Sequence, residues 1–438
     1  MERDTWHNWS GTEHARPHRI ATPRTAEELA TIVADAAAQG LHVKAVGAGH
    51  SFTGAAVTDG VLVRLDRLTG IVSVSPTEPD GALVTVHAGT RLYDLNRALW
   101  DRGLALANLG DIDVQSVAGA FSTGTHGTGA AFGGLVTQVR ALEVVLADGS
   151  VARCSATENT ALFEAARLGL GALGIITTVT LACVPAFALR AVEAPETLDA
   201  TLDRLDEDRA GVDHFEFYWF PHTRRVLTKR NTRLPGDTPV DPIHPVKGFV
   251  DDELLSNGVF GALNVLGTAL PASIPTINAI TSRALSPRAY TERSYRVYAS
   301  PRRVRFREME YAVPVATLPD VLTEIDRWIE GSGFRVAFPI EVRFAAADDV
   351  WLSTANDRET AYVAVHQFHR RDHRDYFDAV ERIARGVDGR PHWGKMHSRT
   401  YADLRPTYTH LDEFVAVRDK YDPTRVFDNG YLRRILGP

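Results

Sequence analysis

The 438-residue chain, 44% hydrophobic and 24% charged, is too long for one ordinary core, so two domains are the default expectation. Its formal charge of −7, with no concentrated basic face, argues against nucleic acid as a partner. Two cysteines, Cys154 and Cys183, cannot build a disulfide framework and fit a reducing compartment. The opening "MERDTWHNWSGTEHARPHRI" lacks the apolar core of a signal peptide, and no stretch approaches the roughly 20 apolar residues of a membrane span. A cytoplasmic protein is expected.

In chain order, "TAEELATIVADAAAQG" predicts a helix with a capping box (Thr25, Glu28), an apolar face (Leu29, Ile32, Val33, Ala36) and Gly40 at its end. "LHVKAV" predicts a strand that runs into "VGAGHSFTG" (46–54). "LVRLDRL" and "ALVTVHAG" predict strands, and "TRLYDLNRALWDRG" a second capped helix, with Leu92, Leu95 and Leu99 inward and Gly103 closing it. "VRALEVVLADGSVARC" predicts a hairpin turning at Asp148-Gly149, and "LGIITTVTLACVP" (173–185) a long β-branched strand ended by Pro185. A domain boundary is expected there, giving segments 1–185, 186–390 and 391–438.

The second segment reads as α+β with a mixed or antiparallel sheet. "DHFEFYWF", "RFREMEYAVP", "FRVAFPIEVRF" and "AYVAVHQFH" predict strands; "LPDVLTEIDRWIEG" and "YFDAVERIARG" predict helices. The tail predicts one more capped helix, "THLDEFVAVRDKYDP". Residues 232–300, rich in proline and glycine, do not order themselves by pattern. Within them "NGVFGALNVLGTALPASIP" (257–275) is expected to be a buried helix or lid rather than a peripheral membrane contact.

Two glycine-rich runs invite a cofactor. The first has Gly47 and Gly49 after a strand, but Phe52 stands where a dinucleotide fingerprint of the G-x-G-x-x-G type needs its third glycine, and the continuation reads as turn and strand rather than helix. The second, "QSVAGAFSTGTHGTGAAFGG" (115–134), interleaves glycine with serine and threonine. Small hydroxyl residues and unhindered backbone N–H groups can wrap an anionic pyrophosphate without any lysine.

Taken together, "VGAGHSFTG", "VTDGVLVRLDRL", "AGTRLYDLNRAL", "SVAGAFSTGTHGTG" and "GALGIITTVTL" resemble the FAD-binding domain of the vanillyl-alcohol oxidase (PCMH-type) superfamily. "PIEVRF" followed by "DDVWLS", and "HWGK" at 392–395, are similar to substrate-side motifs of its sugar-1,4-lactone and alditol oxidases. The resemblance covers nearly the whole chain, weakest over 232–300 and the first fifteen residues. It implies an α+β protein: a two-lobed FAD-binding domain, a cap domain over the flavin, and a C-terminal segment returning to the first lobe.

By the same resemblance Gly47, Ala48, Gly49, His50, Ser51 and Phe52 from one turn contact FAD. Ser116, Gly119, Ser122, Thr123, Gly124, His126 and Gly127 from the other do so too, with Ile175 beyond. His50 is implied to bond covalently to the flavin 8α-methyl, since a neutral imidazole is a nucleophile for that carbon once the flavin rearranges to its quinone-methide form.

On the substrate side Glu341 and Arg343, two apart on a predicted strand, emerge on one face, where carboxylate and guanidinium can grip hydroxyls. His366 shares a strand face with Ala364 and Phe368. Phe368 stands where a polar residue would suit a longer polyol, which counts against a linear alditol. Lys395 is placed to favour reduced flavin and a developing alkoxide. The implied reaction passes a hydride from a sugar-lactone or polyol carbon to flavin N5, with His366 or Lys395 as base and oxygen or another acceptor regenerating FAD. His366, His369 and His373 do not have the spacing or the companions of a metal site, so no metal is expected. Three alternatives stay open: an alditol oxidase, a flavoenzyme of this fold acting on a secondary-metabolite alcohol, and a carrier that has lost turnover.

Overall fold

The computed structural model describes residues 5–243, 260–299 and 304–438. Beyond a two-stranded antiparallel pair, Trp6–His7 with His14–Ala15, three larger sheets form; the first is parallel and three-stranded, in the order Arg19–Ala21, Val61–Arg64, Val43–Val46. The helix Ala26–Ala38 supplies its crossover. Thr25 accepts from the Glu28 N–H at its start, and Gly40 takes a positive φ of 65° just past its end. The expected capping box is only half made, because the Glu28 carboxylate accepts instead from the Arg24 N–H.

A second sheet, antiparallel, has the order Val151–Ser155, Val139–Val145, Ile175–Pro185, Gly81–His87, Ile71–Thr77. Gly149, at φ 82°, makes the predicted hairpin turn. The strand Ile71–Thr77 escaped the sequence reading: its Val-Ser alternation is short and runs into Pro76, and neither face of it is buried. The helix Leu92–Trp100 buries Leu92, Leu95 and Leu99 as predicted, but Arg91 at its N-cap makes no side-chain cap. Thr90 turns its hydroxyl back to the His87 carbonyl instead.

The third sheet has eight strands and is antiparallel throughout: Arg288–Arg293, Phe187–Thr197, Arg225–Pro235, His214–Phe220, Ile340–Ala345, Thr360–Phe368, Phe306–Pro314, Arg390–Pro391. The strand predicted over "FRVAFPIEVRF" begins only at Ile340, since Pro339 has no N–H to give a central ladder. Helices Leu318–Ser332 and Arg374–Arg385 cover one face, burying Leu322, Ile325, Ile329, Phe377 and Val380 against Phe217, Val342, Val363 and Met309. Each such apolar side chain contributes about 1.5–3 kcal/mol on leaving water.

Residues 244–259, part of the stretch that did not order itself, lie outside the described residues. Of the buried helix or lid expected over 257–275, residues 257–259 fall outside the described residues and the rest is helical but only partly buried. Phe260–Ala269 and Ile274–Ala284 are helices that bury Asn264, Ile274 and Asn278 but leave Val265, Leu266, Leu270 and Ile280 exposed. At the C-terminus, Leu411, Phe414, Leu432 and Ile435 pack into the same core as Leu29, Val84 and Val179. The helix Leu411–Tyr421 also lacks the side-chain cap expected of it, whereas Gly430–Leu436, unpredicted, is capped by Asn429. The same Asn429 donates to the carbonyls of Gly54, Ala55 and Val57, tying the tail to the first glycine loop.

Candidate functional site

Between the two smaller sheets runs an elongated cavity of about 1160 Å³. The first glycine loop forms one wall (Gly47, Ala48, Gly49, His50, Ser51); Ser116, Gly119, Ser122 and Thr123 form another, with Gly171, Gly174 and Ile175 beyond. The second run therefore does not behave as a plain loop. Ser116 accepts from the Gly119 N–H and caps the short helix Val117–Ser122, which the sequence reading missed. The two loops press on each other so closely that a Cβ on Gly47 would lie 2.2 Å from the Ser116 Oγ. Gly49 has φ 71°, beside the Trp6 ring. Small walls and neutral hydroxyl donors suit a long anionic ligand. One cation was missed: Lys44 is fully buried on this cavity, donating to the carbonyls of Gly171 and Phe427. Burial lowers its pKa to about 7 against the opposing pull of Asp428 and Asp422. These residues fit an FAD.

A second cavity, of about 850 Å³, shares His50, Ser51, Gln115 and Thr123 with the first. One face of the eight-stranded sheet makes its floor. Register pairs Tyr218 with Glu341, Arg343 with Tyr362, Glu341 with Ala364, and His366 with Glu308. Side chains alternate along a strand, so Glu216, Glu341, Arg343, His366, Glu308 and Glu310 share this face while Phe217, Val342, Val365 and Met309 face the core. Trp9, Phe52 and Phe306 form an apolar wall, part of a cluster that also holds Phe368 and Phe338.

The charges interlock. Arg343 donates to Glu341 through Nη2 and to Glu216 through Nε at 3.0 Å, and its Nη1 lies 3.5 Å from Asp111. Burial works against its charge, but these carboxylates hold the guanidinium pKa well above its usual value. Lys395 pairs with Glu308, whose Oε1 lies 3.4 Å from His366 Nε2. Burial pushes the Glu308 carboxyl up, yet Lys395 and His366 outweigh it and bring it down to about 2. Lys395 is likewise desolvated, and Glu308 and Glu310 raise it, so it stays an ammonium at neutral pH. The His50 imidazole, stacked on Trp9 at 5.3 Å, is lowered to about 4 by burial and by Lys395, and is therefore neutral at pH 7. His366 Nδ1 is buried with no hydrogen-bond partner among the described residues.

Glu341, Arg343, His366 and Lys395 thus come together in one cavity, and most of the predicted cofactor residues line the other. Four do not. Phe52 and His126 face the second cavity, where His126 stacks on Tyr362 at 3.5 Å and bonds Glu310. Gly124 and Gly127 line neither: Gly124 turns at φ 74° against Leu168, and a Cβ on Gly127 would meet the Leu109 carbonyl at 2.2 Å. Lys395 is held by its loop rather than by exposure. The Gly394 carbonyl accepts from the Phe52 N–H, the Trp393 indole donates to the Leu352 carbonyl, and the Met396 N–H donates to the Glu308 carbonyl. The sequence reading missed Glu308, Glu310, Asp111, Glu216 and His392. Glu308 and Glu310 had a signal, since in "FREMEYA" they alternate with Met309 and Tyr311 on a strand.

Residues 17–155 match the FAD binding domain family and residues 179–435 the D-arabinono-1,4-lactone oxidase family. The chain is 42% identical to an L-gulono-1,4-lactone dehydrogenase of Mycobacterium tuberculosis, over 99% of both chains. It is 34% identical to an alditol oxidase of a Streptomyces species, over 98% of both. Among solved structures, a cholesterol oxidase from B. sterolicum superposes with a TM-score of 0.81 over 99% of this chain and 96% of that one, at 19% identity, a likeness of fold alone.

Proposed function

The chain belongs to the D-arabinono-1,4-lactone oxidase family of FAD-dependent oxidoreductases, and from that premise we propose that its substrate is a neutral sugar-1,4-lactone of the gulono type. One observation carries this reading: the cavity floored by Glu341, Arg343, His366 and Lys395 shares His50 and Ser51 with the cavity that fits FAD. When bound, FAD accepts the hydride that leaves the substrate carbon.

The chain's residues orient the substrate and move the proton. Glu341 accepts from ring hydroxyls, and Arg343, pinned by Glu341, Glu216 and Asp111, presents a fixed edge of N–H donors. Lys395 is charged and cannot serve as base; it steadies negative charge developing on the substrate oxygen. His366 is the base. Its ring lines the cavity, with Nε2 oriented by Glu308. Carboxylates crowd this floor and already occupy the Arg343 fork, so an open-chain sugar acid meets repulsion that its neutral lactone does not. The aromatic wall of Trp9, Phe52 and Phe306 suits a compact ring better than a long polyol.

The neutral His50 imidazole supports a covalent bond to the flavin 8α-carbon. Cys154 and Cys183 are both buried free thiols, which supports a reducing, cytoplasmic setting; no helix among the described residues is long and apolar enough to cross a membrane. The test is anaerobic bleaching of the purified yellow protein by L-gulono-1,4-lactone, by L-gulonate and by xylitol. The lactone alone should bleach it quickly. Faster bleaching by xylitol would make it an alditol oxidase, and bleaching by none would leave a carrier. Acid precipitation of wild type and His50→Ala decides the bond: colour should stay with the wild-type pellet and leave the variant's.

A further inference from the structure

A third hollow, of about 1050 Å³ and open to solvent, meets the first cavity at His50 and the second at Trp9, His50 and Ile112. It lies between the helix Leu92–Trp100 of the first half and the helix Ser294–Tyr298 of the second. Among the described residues its walls pair an aromatic with an arginine on each side. Arg97 sits 6.0 Å over the Tyr93 ring, and Arg296 sits 6.0 Å over the Tyr295 ring. Tyr93 and Arg97 are four apart on one helix, so they share a face. Both arginines are exposed, and both tyrosines are half-buried. Arg296 also pairs with Glu292 at 3.3 Å. The lactone reading uses none of these four residues.

We infer that this hollow is a separate binding site for a quinone, which takes electrons from the cofactor at the side held by His50. Three observations converge on that class of ligand. Two tyrosine rings line the hollow, one from each helix, and offer apolar contact to a flat aromatic guest. Guanidinium N–H groups beside them donate to carbonyl oxygens and stabilise the negative charge that builds on a quinone as it is reduced. The Trp9 indole, stacked on the His50 imidazole with a 20° interplanar angle, joins the hollow to the residue proposed to hold the flavin. Molecular oxygen needs no such lining. An acceptor protein would meet a surface and would not fill a recess. The step balances: the quinone takes two electrons and one proton from the reduced cofactor and one proton from solvent, and it leaves as the hydroquinone while FAD is restored. The hollow adjoins the substrate cavity at Trp9, His50 and Ile112, but Tyr93, Arg97, Tyr295 and Arg296 line the hollow alone.

The inference rests on His50 holding the flavin, but its first test needs no turnover. Duroquinone, fully substituted and so inert to thiol addition, is titrated calorimetrically into the oxidised holoenzyme. One equivalent should bind. Tyr295→Ala and Arg296→Ala should each weaken binding at least tenfold and lower kcat/KM for duroquinone to match. The rate of anaerobic bleaching by L-gulono-1,4-lactone should not change in either variant, and the lactone should not displace the quinone. Absence of binding, displacement by the lactone, or equal affinity in wild type and both variants would overturn the site. Those outcomes leave the lactone reading untouched, which bleaching tests separately.

Discussion

Replacing Glu308 by glutamine keeps the shape of the substrate floor and removes one charge. In the wild type that carboxylate pairs with Lys395 and faces His366, with its side chain 8% exposed and that of Lys395 22% exposed. Removing one partner of a buried ion pair costs about 3–5 kcal/mol, because the other charge is left uncompensated. Glu310 still lends Lys395 some support, so the low end applies, about 3 kcal/mol. With that partner gone, the Lys395 ammonium loses its proton at lower pH than in the wild type. Arginine and histidine neighbours do not replace the lost carboxylate. The assay is the stopped-flow rate of anaerobic flavin bleaching by saturating lactone, measured from pH 6 to pH 10. In Glu308→Gln the rate should fall within this range at an alkaline pH where the wild type still bleaches at full rate, with the flavin spectrum at pH 6 unchanged. Glu308→Asp, which keeps the charge, should recover most of the wild-type profile. If the glutamine variant bleaches with the wild-type pH profile, Lys395 does not act as a charged group in the reaction and the electrostatic reasoning fails.

The same pair predicts a signature in stability. The Glu308 carboxylate is held down to about 2, so its contribution is present above the ordinary carboxylate range and is lost as pH falls toward 2. The melting temperatures of wild type and Glu308→Gln should differ most above pH 5 and converge near pH 2 in calorimetric scans. His50 is lowered to about 4 and is neutral well above that value. Flavin attachment to apoprotein, followed as fluorescence on a denaturing gel, should proceed at pH 8 and at pH 6 and slow below about pH 4; equal rates at pH 3.5 and pH 7 would deny the nucleophile. Gly47→Ala places a Cβ against the Ser116 Oγ, an overpacking worth about 1–3 kcal/mol, and should weaken FAD retention. Adding Ser116→Gly should restore retention, scored by the flavin-to-protein absorbance ratio. Arg343→Lys keeps the charge but cannot hold Glu341, Glu216 and Asp111 at once, so kcat/KM for the lactone should drop at least tenfold with the flavin still bound.

The legibility of this protein divides along range in the sequence. Local signals were reliable where one stretch carries its own constraint. The Asp148-Gly149 turn, the 3.6-residue stripe of Leu318–Ser332 and the β-branched run Ile175–Pro185 each depend on neighbours a few positions away. Where a competing local bond was available the reading slipped, as when Thr90 bonded the His87 carbonyl and left the helix beyond it uncapped. The exposed strand Ile71–Thr77 carried only a brief Val-Ser alternation cut short by Pro76.

The site divides in the same way. Spacing and turn chemistry pointed to the two glycine loops and to a shared strand face for Glu341 and Arg343, and the family resemblance implied the roles of that pair and of His50, because each lies in a contiguous segment that can be read in place. Register did the rest. Only the tertiary structure sets Glu308 opposite His366 and Arg343 opposite Tyr362, and only it brings Glu216 and Asp111 onto one guanidinium. Those groups come from strands and loops far apart along the chain, and no local property of either partner records which strand will lie beside it. The charge state of the site was decided there too. Lysine, histidine and carboxylate have fixed intrinsic affinities for protons, and it is burial and the neighbours that folding supplies which make Lys395 a fixed cation and His50 a neutral base.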